Sequence, residues 1–306
     1  MDRRHFQYFL AVVEAGSISA AARKLRISQP AVSQSVKELE RELGSPLFQR
    51  GHRLSLTHAG RALVGPARRT LRSFDVARAA VQDVDHLATG RVDLAVVAAY
   101  AVDPVLSLVR RFRTRYPGVR IAIHEGPAGE DGFGVLRRAE AELLVTDHPA
   151  PYAKHEALPL ALQPMQAVFP PGTEDLPDGP VTLNTVVTHD YVQGLPEQSA
   201  MRVWFAAALA AEQLPPPPVV VETAHRDAII PLVLAGAGAT LLPAPAARTA
   251  QRLGAEVRPL AFPFTRSCFL YHRRGPLSPA ALALVSLAAD TAAADVRVTH
   301  EDMDRA

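Results

Sequence analysis

Between Ser28 and Lys37, hydroxyls, amides and an ammonium recur at helical spacing. Ser28, Gln29, Ser33, Gln34 and Lys37 supply them, with the compact Pro30 and Ala31 in between. Ser28 is a suitable helix N-cap, and Pro30 is tolerated in a first turn, where its amide has no helical partner to lose. Val32, Val36, Leu39 and Leu43 fall on the opposite face at spacings of four, three and four. A helix end built this way is tightly capped and carries no bulk. It can enter a major groove, where hydroxyls and amides read base edges and a lysine reaches phosphate.

A second group follows in "LFQRGHRLSLTHAG". Leu54 and Leu56 alternate with polar neighbours and Gly51 allows a tight turn, which predicts a two-stranded wing. Arg50 and Arg53 flank its tip, within reach of a phosphate backbone. The elements that must carry these groups precede them. Phe6, Phe9, Leu10 and Val13 mark a first amphipathic helix. Ser17 or Ser19 caps a short second helix, "AAARKL", whose alanines let another helix approach closely. "RIS" breaks the pattern before the polar helix begins.

Charge agrees with a polyanion partner at this end. Residues 1–90 hold 14 Arg and Lys against 8 Asp and Glu, a balance of +6; the remainder holds 19 against 23, a balance of −4. A length of 306 residues suits two or three domains, and 48% hydrophobic residues is ample for packed cores. The only cysteine is Cys268, so no disulfide can form within the chain, which predicts a reducing cytoplasm. No apolar run reaches membrane-spanning length, and the signal-like start "MDRRHFQYFLAVVEAG" is cut short by Glu14. No cofactor or metal is expected. The eleven histidines lack ligand spacing, and His148, His155 and His189 read as surface or loop residues. "GAGAT" at 236–240 lies after a helix and before a strand, the reverse of a dinucleotide loop. "PPPP" at 215–218 reads as a stiff loop before "VVVE".

From His58 to about Leu87 the chain is rich in Ala and Arg and helical in pattern. Leu63, Ala67, Leu71, Phe74, Ala77 and Val81 trace an apolar stripe. A long helix with such a stripe and no surrounding domain needs a partner. After "ATG" the character changes to strands alternating with helices, which predicts parallel sheets. The expected division is 1–58, a DNA-binding domain; 59–88, a linker and dimerisation helix; and 89–306, an α/β body.

The run "FQYFLAVVEAGSISAAARKLRISQPAVSQSVKELERELGSPLFQR", closed by "LSLTHAG", resembles the N-terminal domain of the LysR-type transcriptional regulators. "LVLAGAGATLLP" and "HRRGPLSPAALALV" resemble blocks of the regulatory domain of that family. Two departures stand out: a wing one residue shorter than usual, and Ala139 to Leu143 where the family carries a Gly and an Asp. The resemblance implies an all-α winged helix-turn-helix, joined by a linker helix to a two-lobed, periplasmic-binding-protein-like regulatory domain. Within the body it implies lobe 1 of about 91–163 and 267–300 and lobe 2 of about 164–266. It implies double-stranded promoter DNA as a partner, read by Ser28, Gln29, Pro30, Ala31, Ser33, Gln34 and Lys37 and gripped by Arg50 and Arg53. Pairing through Leu63, Leu71, Phe74 and Val81 would give a homodimer or homotetramer. A small effector would sit between the lobes, at strand ends and helix starts carrying Ala99, Tyr100, Ala101, Glu125, Gly126, Gln193, Gly194, His225 and Arg226. Arg226 at a helix start points to an anion. The rival readings are a solute-binding receptor with a helical module, and an enzyme on an α/β scaffold. The first lacks an export signal, and the second lacks any nucleophile elbow, P-loop or kinase motif.

Overall fold

The computed structural model describes residues 1–49, 54–79, 89–151, 154–194, 200–262 and 264–290. The head begins with α1 (Arg3–Ala15), capped by the Asp2 carboxylate, which accepts from the N–H groups of Arg4 and His5. Ser17, not Ser19, caps α2 (Ile18–Leu25), accepting from the Ala20 N–H at 3.1 Å. Arg26 closes α2 at φ 57°, and Ser28 opens α3 (Gln29–Leu43). Ala21 and Ala22 are buried with Val12, Val32 and Val36, while Phe9 and Leu10 pack on Leu39 and Leu47. Leu43 was expected on this inner face but is 38% exposed, because α3 runs past the core at its end.

Two short strands, β1 (Phe48–Gln49) and β2 (Ser55–Leu56), pair antiparallel as the base of the wing. The Glu40 carboxylate accepts from the Leu47 and Phe48 N–H groups and so ties the wing to α3. Next, α4 (His58–Ala79) starts with the Thr57 hydroxyl accepting from the Gly60 N–H. Leu63 and Leu71 lie half-buried against the head cluster of Phe6 and Phe9 rather than on a free seam. Phe74 is 45% exposed, and Val81 lies outside the described residues.

Lobe 1 runs through β3 (Gly90–Val96), α5 (Val105–Arg115), β4 (Val119–Glu125), α6 (Phe133–Arg137), β5 (Leu143–Thr146) and the first part of β6 (His155–Phe169). Lobe 2 adds α7 (Leu183–Val187), β7 (Tyr191–Gly194), α8 (Ala200–Ala211), β8 (Val219–Thr223), α9 (Arg226–Leu234), β9 (Thr240–Pro243), α10 (Ala244–Arg252) and β10 (Glu256–Pro259). The chain returns to lobe 1 through β11 (Thr265–Arg273) and a closing helix, α11, over residues 279–290.

The alternating pattern predicted parallel sheets, but the main sheet is mixed, in the order β10-β6-β11-β5-β3-β4. Only β3 with β4 and β3 with β5 are parallel there; β11 runs antiparallel to both β5 and β6. The physical reason is the return of the chain: β6 leaves lobe 1 and β11 re-enters it, so the two must run in opposite directions. Beyond Pro164, β6 continues between β9 and β10 in lobe 2. Lobe 2 also holds the parallel pair β7 and β8. Each lobe has its own core: Leu94, Phe112, Leu143 and Leu270 in lobe 1, and Phe169, Val186, Phe205 and Val192 in lobe 2.

Helix α6 stops at Arg137, and Ala139 then adopts φ 53°. An alanine in this left-handed region costs about 1 kcal/mol, at a place where the sequence departs from the family pattern. His155 is also not a surface residue: it is buried in β6, its ring centroid 5.0 Å from that of Phe133. Pro159 and Pro164 weaken the strand signal of this part of β6.

Candidate functional site

The first candidate surface is the outer face of α3. Ser28, Gln29, Pro30, Ala31, Gln34 and Lys37 are exposed, and Ser33 is half-buried, while Val32, Ser35, Val36 and Leu39 turn inward. Helical periodicity therefore gathers all seven expected residues on one side. Ser28 spends its hydroxyl on the Ala31 N–H at 3.4 Å, which fixes the first turn. The Gln34 amide donates to Glu38 at 2.8 Å, so its side chain is held along the helix with its carbonyl still free to accept. Glu38 also meets His5 at 3.4 Å, and these contacts hold its carboxyl below the usual range. Arg50 and Arg53, expected at the wing tip, lie outside the described residues.

The second candidate is a cavity of about 60 Å³ lined by lobe 2, with Arg266 at the crossing between the lobes also on its wall. Three of the expected residues line it: Gln193 and Gly194 at the end of β7, and Arg226 at the start of α9. The structure does not bring Ala99, Ala101, Glu125, Gly126 or His225 to its wall. Gly126 instead closes the end of β4, donating its N–H to the Val96 carbonyl at 2.8 Å.

Sequence reading missed Arg266, the most consequential residue of the cavity. It lies at the start of β11, paired in register with Gln163 of β6, where the two passes between the lobes run side by side. Its guanidinium is buried, forms an ion pair with Asp147 just beyond β5, and stands 5.0 Å from the Tyr100 ring centroid. Tyr100 is thus joined to the site through Arg266, not as a lining residue. Burial pushes its phenol above the ordinary range, and the nearby Asp147 adds to the shift while Arg266 opposes it. Gln163 donates to the Asp103 backbone carbonyl and carboxylate, each at 2.8 Å, which fastens the β3–α5 loop to the crossing. The signal for Asp147 was available: an acidic residue just after the carboxyl end of a buried strand is where ligands meet open α/β sheets.

The charges of the cavity do not cancel. Arg266 pairs with Asp147, and Arg202 lies 3.6 Å from Glu222, which also accepts from Gln193. Arg226 makes no ion pair among the described residues. Burial, then the nearby Arg266, hold its guanidinium below its usual pKa. One uncompensated, partly desolvated positive charge faces the cavity, beside the apolar walls of Met165, Phe205 and Ile229. Such a place favours an anion.

Comparison with known proteins matches residues 3–61 to the model of the bacterial regulatory helix-turn-helix proteins, lysR family. Residues 85–293 match the LysR substrate binding domain. The HTH-type transcriptional regulator IlvR of Caulobacter vibrioides is 30% identical, over 96% of this chain and 99% of its own length. The nitrogen assimilation regulatory protein nac of Klebsiella aerogenes is 30% identical, over 81% of this chain and 80% of its own. Among solved structures, a full-length OxyR variant from Pseudomonas aeruginosa superposes with a TM-score of 0.76 at 21% identity, covering 95% of this chain and 94% of that one. Full-length CbnR in complex with its target DNA superposes with a TM-score of 0.64 at 21% identity, covering 95% and 100%.

Proposed function

Because the chain belongs to the LysR family of transcriptional regulators, we propose that it reads promoter DNA through Ser28–Lys37 and responds to a small monoanion held at Arg226. The unpaired Arg226 in the lobe 2 cavity beside the crossing is the observation that carries the second half. Three arginines line the wall against two paired carboxylates, so one positive charge remains to be matched. A small carboxylate held at Arg226, beside the β6 and β11 crossing, would bias the lobes by binding one closure state better. The chain works as a dimer or tetramer, with the exposed Phe74 of α4 in the seam. Its role is regulation rather than catalysis, and it acts in the cytoplasm, where the DNA is. No described helix is long and apolar enough to cross a membrane.

Calorimetry with a panel of small mono- and dicarboxylates tests the monoanion. Arg226→Ala should weaken binding of the preferred monocarboxylate at least about tenfold, the worth of a charge-assisted hydrogen bond. DNA binding without effector should persist in gel shifts on DNA upstream of the protein's own gene. Wild-type affinity in that variant would remove Arg226 from the site.

A further inference from the structure

Far from the cavity, α4 rests on lobe 1 through a buried polar contact. Arg72 Nε lies 3.0 Å from Glu142 Oε1, and the Glu142 side chain is only 4% exposed. The same carboxylate accepts from the Ser278 N–H at 2.9 Å and the Ser278 hydroxyl at 2.7 Å, at the start of α11. Arg69 donates to the Arg137 carbonyl at 3.1 Å. Gly65 lets the backbones close: a Cβ there would stand 3.3 Å from the Arg138 carbonyl oxygen. All these contacts fall on the α6–β5 corner that carries the left-handed Ala139. Burial lowers the Arg72 pKa while Glu142 and Asp93 oppose the shift, as expected of a guanidinium drawn out of water toward carboxylates.

Glu142 immediately precedes β5, and Asp147 immediately follows it. The four residues between are all buried, with β3 on one side and β11 on the other. Five residue steps span roughly 17 Å in a strand, and a strand hydrogen-bonded on both edges shifts as a unit. One end of that rod is paired to Arg266 in the cavity, the other to Arg72 on the helix that carries the reading head.

We propose that Arg72 and Glu142 form a latch docking the linker helix on lobe 1, and that β5 couples this latch to the Asp147–Arg266 pair between the lobes. The head is then held to lobe 1 while the crossing keeps its present geometry, and movement of Arg266 draws on Glu142 and loosens α4. The regulatory meaning of this coupling rests on the cavity being the effector site; the coupling itself does not.

Hydrogen exchange by mass spectrometry on the full-length chain, with no effector added, tests it. Arg72→Gln should speed exchange roughly tenfold, the loss of a charge-assisted contact, in two segments: residues 62–76 and residues 138–147. Arg72→Lys should recover part of the protection. Gly65→Leu, which pushes α4 away without altering any charge, should reproduce the Arg72→Gln pattern. Arg266→Gln should speed exchange over 62–76 in the wild-type background and add nothing in the Arg72→Gln background, while residues 247–252 of α10 serve as the control for folding. Exchange over 138–147 unchanged in Arg72→Gln would overturn the latch. Additive effects in the double variant, or no effect of Arg266→Gln on 62–76, would overturn the coupling. Neither outcome bears on whether a carboxylate binds at Arg226, which calorimetry decides separately.

Discussion

Gln34 stands at the centre of the exposed face of α3, one turn from both Pro30 and Lys37. Its amide nitrogen is committed to Glu38 in the free protein. If Gln34 reads a base as proposed, it must give up or share that contact, which would make it a discriminator rather than an anchor. Gln34→Ala is expected to cost about 1–3 kcal/mol at the cognate operator and little on unrelated DNA. Competition binding at fixed salt checks this; an unchanged ratio of specific to non-specific affinity would take Gln34 out of the reading face. The buried residues beside it, Ser35 and Leu39, hold the helix in place and belong to the head's core.

At the scale of the element, α4 serves two masters. Its stripe was legible as apolar, but the stripe divides. Leu63 and Leu71 pack on the head of their own chain, while Phe74 presents 45% of its surface to solvent. A second copy of α4 laid along this stripe would cover Phe74, the exposed member of it. Phe74→Glu is thus expected to yield monomers in sedimentation, with the head still folded. Leu71→Ala should instead destabilise the head through lost packing by roughly 1–2 kcal/mol for a half-buried leucine, seen as a lower melting temperature, and leave the mass a dimer. A dimeric Phe74→Glu would place the seam elsewhere.

Across the whole molecule, charge is divided between the two ends, +6 over residues 1–90 and −4 over the remainder. The attraction to a polyanion resides in the head, and the body adds solubility and mild repulsion. The salt dependence of DNA binding should follow that division. Lys37→Ala should lower the slope of log affinity against log salt by about one unit and weaken all sequences alike. Arg120→Ala, an exposed charge on β4 of lobe 1, should leave the slope unchanged. Anisotropy titrations at several salt concentrations measure both; equal losses from the two variants would mean that the body also lies on the duplex.

What the sequence determined alone was whatever is local and periodic. The polar and apolar faces of α3 follow from spacing of four, three and four, the stripe of α4 from spacings of three and four, and the Ser28 cap from a hydroxyl at a helix start. All of this is local to one helix, whereas the choice of Ser17 over Ser19 came with the structure. Arg226 was legible for the same reason, as a charge at a helix start. Tertiary structure decided the rest. Arg266 and Asp147 are 119 residues apart and become partners only because β11 returns beside β6 to cross between the lobes. Arg72 and Glu142 meet only because a glycine lets α4 approach the α6–β5 corner. The long β6 hid behind two prolines, since its pairing is set by β9, β10 and β11 rather than by its own propensity. A residue's own helix or strand can be read from its neighbours in sequence; which charge it answers across the fold depends on how distant segments pack, and no local period encodes that.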